Sequence, residues 1–161
     1  MAEVKEQPPY TAYAHIAATF VGALAAAGAL AKLLDRDQPG DSVLDLVVIA
    51  GATFKAARTI ARDDVTSFVR APFVEGEAGS GEEEEPKQTG GMEQAIGELV
   101  TCTRCVGTWA AAGLTATQIL APRFGRMLTW SLAAAAANDF LQAGFAALAK
   151  KSNDVEARTG D

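Results

Sequence analysis

The sequence predicts an all-α protein: a four-helix transmembrane bundle with an acidic disordered linker between the second and third helices. Three observations predict it. Four apolar stretches, each long enough for a helix, are separated by turn signals. Alanine is abundant and the β-branched residues are scattered rather than alternating, which favours helix over strand. Charges gather at helix ends and linkers while the helix middles are apolar nearly all round, whereas a soluble bundle helix carries a polar face along its full length.

At 161 residues the chain is one domain on length. Its net charge of −6 argues against nucleic acid, which needs lysines and arginines clustered on one face. The charge is uneven. Glu75, Glu77, Glu82, Glu83, Glu84 and Glu85 sit in one short stretch, and the rest of the chain is near neutral without them. Two cysteines three apart are not a secreted disulfide framework. The first eleven residues carry acids and prolines rather than a basic start, so no secretory signal is expected.

Residues 1–11 read as a disordered N-terminus. The helical membrane domain spans 12–151. Its first helix runs from Ala12 to Leu34, with Thr11 as N-cap and no charge between Ile16 and Ala31. Ala18, Gly22, Ala25, Ala26 and Gly28 give it small-residue faces that let helices approach closely in lipid. A turn signal at Asp35–Gly40 ends it. Asp41 or Ser42 caps a second helix, Val43 to Ala61, followed by a short helix or turn that Pro72 stops. Residues 75–91 form the linker. The third helix runs from Glu93 to Leu120. Pro122, Arg123 and Gly125 make a turn, and the fourth helix runs from Arg126 to Lys151, interrupted by Asn138-Asp139. Residues 152–161 form a disordered tail.

The uncharged runs are about 16 residues in the first and third helices and shorter in the other two, so none reaches the ~18 of a self-evident span. The membrane reading therefore rests on how charge is arranged, and on Trp109 and Trp130 near helix starts, where interfacial anchors sit. A soluble helical bundle is the alternative. With the N-terminus inside, the inner segments hold Lys5, Arg58, Arg62, Arg70, Lys87, Lys150, Lys151 and Arg158. The outer turns hold Lys32, Arg36, Arg123 and Arg126. That bias places both termini in the cytoplasm and the thiols in a reducing compartment.

Two segments resemble a known family. Lys55-Ala-Ala-Arg58-Thr-Ile-Ala-Arg62-Asp63-Asp64, with Val69-Arg70-Ala-Pro72-Phe73, precedes a variable linker. Then comes Gly97-Glu98-Leu-Val-Thr-Cys102-Thr-Arg-Cys105-Val-Gly107-Thr-Trp109. Over about residues 43–150 the chain resembles the uncharacterised bacterial membrane-protein family named domain of unknown function 1360. The resemblance implies a small integral protein of the bacterial cytoplasmic (inner) membrane. It implies no activity.

On a continuous third helix, Glu98, Cys102, Cys105 and Trp109 are spaced i, i+4, i+7 and i+11, within about 60° of one another. The up-and-down order of four spans puts His15, the cationic face Lys55/Arg58/Arg62 and the thiol stripe at one membrane face, with that cationic face as the expected neighbour of the thiols. Three functional readings follow. Nearby cations lower a thiol pKa and make it reactive. Cys102 and Cys105 form half of a zinc site, completed by His15 and a carboxylate such as Glu98, or by the thiols of a second chain. Or the pair forms a reversible disulfide. Against them stands simple packing of two small polarisable side chains at a helix crossing. Asp139, near the middle of the fourth helix, needs a partner, and Lys55 is the deepest cation of the second. A structural pair or an ion relay both fit. The sequence thus points to a non-enzymatic accessory or scaffold subunit that meets the lipid bilayer and assembles as a homo-oligomer or within a larger membrane complex. A thiol or zinc site on the Cys-x-x-Cys motif is the alternative.

Overall fold

Among the described residues the protein is all-α apart from one minimal hairpin. The computed structural model describes residues 8–36, 42–76 and 84–159, the last with side chains as far as 153. Helix α1, Tyr10–Leu33, starts on Pro9, and Tyr13 N–H donates to the Pro9 carbonyl at 3.1 Å. Thr11 is therefore inside the helix and not its cap. Helix α2, Val43–Arg62, starts on Ser42, whose Oγ accepts from Asp45 N–H at 3.0 Å and satisfies one orphan donor of the first turn.

Past α2 the chain makes a 3₁₀ turn at Asp64–Thr66, a single helical turn α3 at Ser67–Arg70, and another 3₁₀ turn at Ala71–Phe73. Strand β1, Val74–Glu75, then pairs antiparallel with β2, Glu85–Pro86, in the register Val74↔Pro86 and Glu75↔Glu85. The linker reading is corrected at its two ends. Glu75 and residues 84–91 are ordered, because Glu84 binds Arg70 and Lys87 N–H donates to Phe73 O at 3.1 Å. Glu77, Glu82 and Glu83 lie outside the described residues.

The expected third helix is two helices, α4 (Met92–Thr101) and α5 (Thr103–Leu120), broken at Cys102. The last helix, α6, runs from Pro122 to Thr159. Proline opens α6 instead of turning the chain, since its missing N–H is no loss at a first helical position. The 3.0 Å bond from Gln118 Nε2 to Thr129 Oγ1 then ties α5 to α6. Gly125 is required here, because a Cβ would come within 2.6 Å of Gln118 backbone. Residues 152–159, expected as a disordered tail, continue α6, there being no proline or glycine before Gly160 to stop it.

Helices α2, α5 and α6 pack against one another, and α1 lies on α5 and α4. Paired residues rise together along α2 and α6 (Gly51 with Ala133, Lys55 with Asp139), so these two run parallel. The core is rich in small residues, with Val48, Val106 and Leu114 buried among them. Ala52 and Ala61 are fully buried, and Ala57, Ala95 and Ala136 nearly so. Large apolar side chains point outward instead: Val21, Leu24 and Leu30 on α1, Leu44 and Leu46 on α2, and Phe140, Leu141, Phe145 and Leu148 on α6 are all exposed. Helix α1 and the Pro122–Asn153 part of α6 are long and apolar enough to cross a membrane.

Candidate thiol site and its cavity

The site is built on the break between α4 and α5. Thr101 closes α4 by donating its hydroxyl to Gly97 O at 2.9 Å. Cys102 leaves the helix with extended backbone (φ −94°, ψ 104°) and becomes the N-cap of α5, its Sγ accepting from Cys105 N–H at 3.3 Å. Both thiols are free, and Cys105 Sγ lies 2.6 Å from Cys102 Sγ. Burial pushes the Cys102 thiol up. Hydrogen bonds from the Cys105 side chain and from the Cys105 and Arg104 backbone, with the Arg104 charge, outweigh it, so Cys102 sits below its ordinary pKa.

The break also changes which residues share a face. Cys105 and Trp109, one turn apart on α5, line a cavity of about 340 Å³ between α1, α4 and α5, together with Glu98, Tyr13, Phe20 and Thr108. Cys102 stands behind Cys105 instead of joining that wall. Glu98 accepts from the Tyr13 hydroxyl and from Gln94 Nε2 at 2.9 Å. Phe20 and Trp109 meet edge to face with ring centroids 5.0 Å apart. A narrower cavity of about 140 Å³ continues down the same α1–α5 seam from these two rings, between Ala23, Leu24 and Ala27 on one side and Ala112, Gly113 and Ala116 on the other.

The cationic face of α2 borders the motif away from the α1 cavity. Arg58 is exposed and borders a different cavity with Thr103, Arg104 and Gly107, and Arg62 is half-buried at the end of α2. The charge acting on Cys102 is that of Arg104, inside the motif. His15 is exposed, with Nδ1 held 2.7 Å from the Thr11 carbonyl one turn back on α1. With Glu98 engaged by Tyr13 and Gln94, the set Cys102, Cys105, His15 and Glu98 is not assembled. Among the described residues no three of His, Cys, Asp or Glu converge on a metal position. Within one chain the two thiols are the only ligands the motif offers a soft metal ion.

Lys55 and Asp139 are brought together. Lys55 Nζ donates to Asp139 Oδ2 at 2.8 Å across α2 and α6, with side chains 22% and 38% exposed. Beside them Phe54 and Phe140 stack with centroids 5.2 Å apart.

Several residues of the region carry no obvious signal in the sequence. Arg70 is fully buried. It donates through Nε to Glu84 at 2.6 Å and through Nη2 at 3.0 Å, and through Nη1 to the carbonyls of Ile60 (2.7 Å) and Asp63 (3.1 Å). It thus satisfies the open carbonyls at the end of α2 and fastens the hairpin there. No spacing rule links residues 14 apart across a variable stretch. The Gln94–Glu98 bond was legible, as the i, i+4 spacing on one helix allows it. Tyr13 was not.

A family model described as a protein of unknown function (DUF1360) matches residues 48–145, from early α2 to late in α6. No curated protein and no solved structure matches the chain.

Proposed function

Since the chain belongs to that family of unknown function, we propose that it is a small integral membrane protein whose four long helices, α1, α2, α5 and α6, all cross the bilayer as an up-and-down bundle. It acts as an accessory or scaffold subunit of a membrane assembly, and it carries no reaction of its own in that role. One observation carries the reading: many large apolar side chains point outward while alanine supplies most of the buried apolar positions. In water such a surface would be a severe aggregation liability; in lipid it is the solvated face. The small core lets the helix backbones approach closely, and Lys55 with Asp139 sits where an unpaired charge is costly in hydrocarbon. The loop charges favour both termini in the cytoplasm and, for a bacterial chain, the inner membrane. Alkaline carbonate extraction of native membranes tests the embedding: the protein stays with the lipid pellet, and release into the supernatant would refute it. Mild-detergent co-purification then asks for the partner, which is a second copy of this chain or a larger complex.

A second reading is favoured by the thiol geometry. A helix N-cap cysteine with a lowered pKa, in contact with a second thiol one turn on, is the arrangement of a dithiol that closes to a disulfide and reopens. A zinc site on these thiols requires two chains to pool their cysteines, giving a four-thiolate set. Thiol counting before and after diamide, with metal analysis of the oligomer, separates the two. Loss of both thiols within the monomer supports the disulfide; protection of all thiols by bound zinc supports the shared site.

A further inference from the structure

We propose that the cavity between α1, α4 and α5 is a binding site for a lipid-soluble quinone, and that the Cys102/Cys105 dithiol reduces it. The inference rests on the dithiol reading above and names its oxidant. Three features lead to it. The first is the division of labour between the thiols. Cys105 faces an apolar cavity, while Cys102 stands behind it with Sγ 2.6 Å from Cys105 Sγ. Cys105 is itself exposed, so a lipid-soluble reactant lying in this open apolar groove has direct access to its thiol.

The second is the shape of the space. The wider chamber holds the thiol, the Thr108 hydroxyl and the Tyr13–Glu98 pair, a polar end suited to a ring bearing two oxygens. The narrower slot runs on along α1 and α5, walled by small and apolar side chains only. From Tyr13 to Ala27 is fourteen residues of α1, about 21 Å at the rise of an α-helix. A planar polar head followed by a long apolar tail fits a chamber and slot of this form. The third is the aromatic pair at the junction. Phe20 and Trp109 belong to both cavities, and their rings meet where the head of such a molecule gives way to its tail.

The step balances without any other reactant. Cys105 Sγ bonds to a ring carbon of the quinone, and its proton passes to a ring oxygen. The Cys102 thiolate attacks Cys105 Sγ, forming the S–S bond and breaking the S–C bond, whose electron pair stays on the ring. The proton released by Cys102 ends on the second oxygen. The two thiols are oxidised to one disulfide and the quinone is reduced to one hydroquinone.

The test uses the full-length, reduced protein in nanodiscs under anaerobic conditions, with decylubiquinone as probe and diamide as a chemical oxidant that needs no cavity. Ala17, on the cavity wall, is changed to Trp to fill the chamber. The expected result is one hydroquinone formed for each pair of thiols lost. Ala17→Trp slows this by about tenfold or more, the scale of discrimination an apolar pocket provides, and leaves diamide oxidation unchanged. An unchanged thermal unfolding midpoint in detergent shows that the variant is folded. If diamide closes the disulfide while decylubiquinone does not react, or reacts equally with Ala17→Trp, the quinone site is refuted and the dithiol reading stands. A lipid chain filling the cavity gives that same outcome. If diamide fails to close the disulfide as well, the dithiol reading is wrong and the inference goes with it.

Discussion

The bundle of α2, α5 and α6 and the cap formed by α3, the hairpin and α4 solve the same problem with different chemistry. The bundle is held mainly by small and aliphatic contacts, with the partly exposed Lys55–Asp139 pair at mid-length. The cap is held by polar bonds. Arg70 and Glu84 are buried at 0% and 2% exposure, and Arg70 also binds two carbonyls of the α2 end. A helix crossing lipid satisfies its own backbone and gains by close approach to its neighbours. A chain that turns irregularly at the end of a helix leaves carbonyls and N–H groups open, and something must bind them. The contrast marks where regular helix packing stops and loop chemistry begins.

The largest effect that sharpens this contrast is expected in the cap. Arg70→Ala leaves Glu84 buried without its partner and opens the α2 carbonyls, a loss of about 3–5 kcal/mol. Removing both charges as Arg70→Met with Glu84→Gln costs much less than the sum of the singles, as read by reversible unfolding in detergent. In the bundle, Asp139→Ala leaves Lys55 alone in an apolar surround and costs about 2–3 kcal/mol, with Lys55→Met added on top restoring part of it. A double-mutant cost equal to the sum of the two single costs would mean the two do not act as a pair.

Within the cap, Gly97 of α4 lies against the hairpin. A Cβ there would come within 2.6 Å of Phe73 O, so Gly97→Ala is expected to cost about 1–3 kcal/mol. The same substitution at Gly113, which has open space around it, should change little. The smallest effect is at the thiols. Cys102 ionises below its ordinary value partly because the Cys105 thiol donates to it, and a donor that favours the thiolate is lost in Cys105→Ala. The pH at which iodoacetamide alkylates Cys102 at half its maximal rate therefore moves up in that variant. No upward shift would mean the thiol contact does not act on Cys102.

The bundle was the legible part of this chain, and the reason is physical. Helix periodicity, end charges and small-residue faces are local properties, so the four long helices and the Lys55–Asp139 depth match could be read from spacing. The cap was not legible. Its strands are two residues each, and its key pair joins Arg70 to a glutamate within an acidic run that composition alone assigns to solvent. The thiol stripe fell between these cases. Cys105, Glu98 and Trp109 do share a cavity, but the helix break at Cys102 turns the first thiol into a cap. Cysteine is not among the usual N-cap residues, so nothing in the Thr-Cys-Thr-Arg-Cys run marked the break.

The central claim is that the outward apolar faces meet lipid. Trp130, 40% exposed on α6, reports on it directly once Trp109 is changed to Phe. In vesicles containing lipids brominated on their upper acyl carbons, the account predicts blue-shifted Trp130 emission, strongly quenched by the bromolipid and little affected by aqueous iodide. Emission quenched by iodide and indifferent to the bromolipid would contradict it.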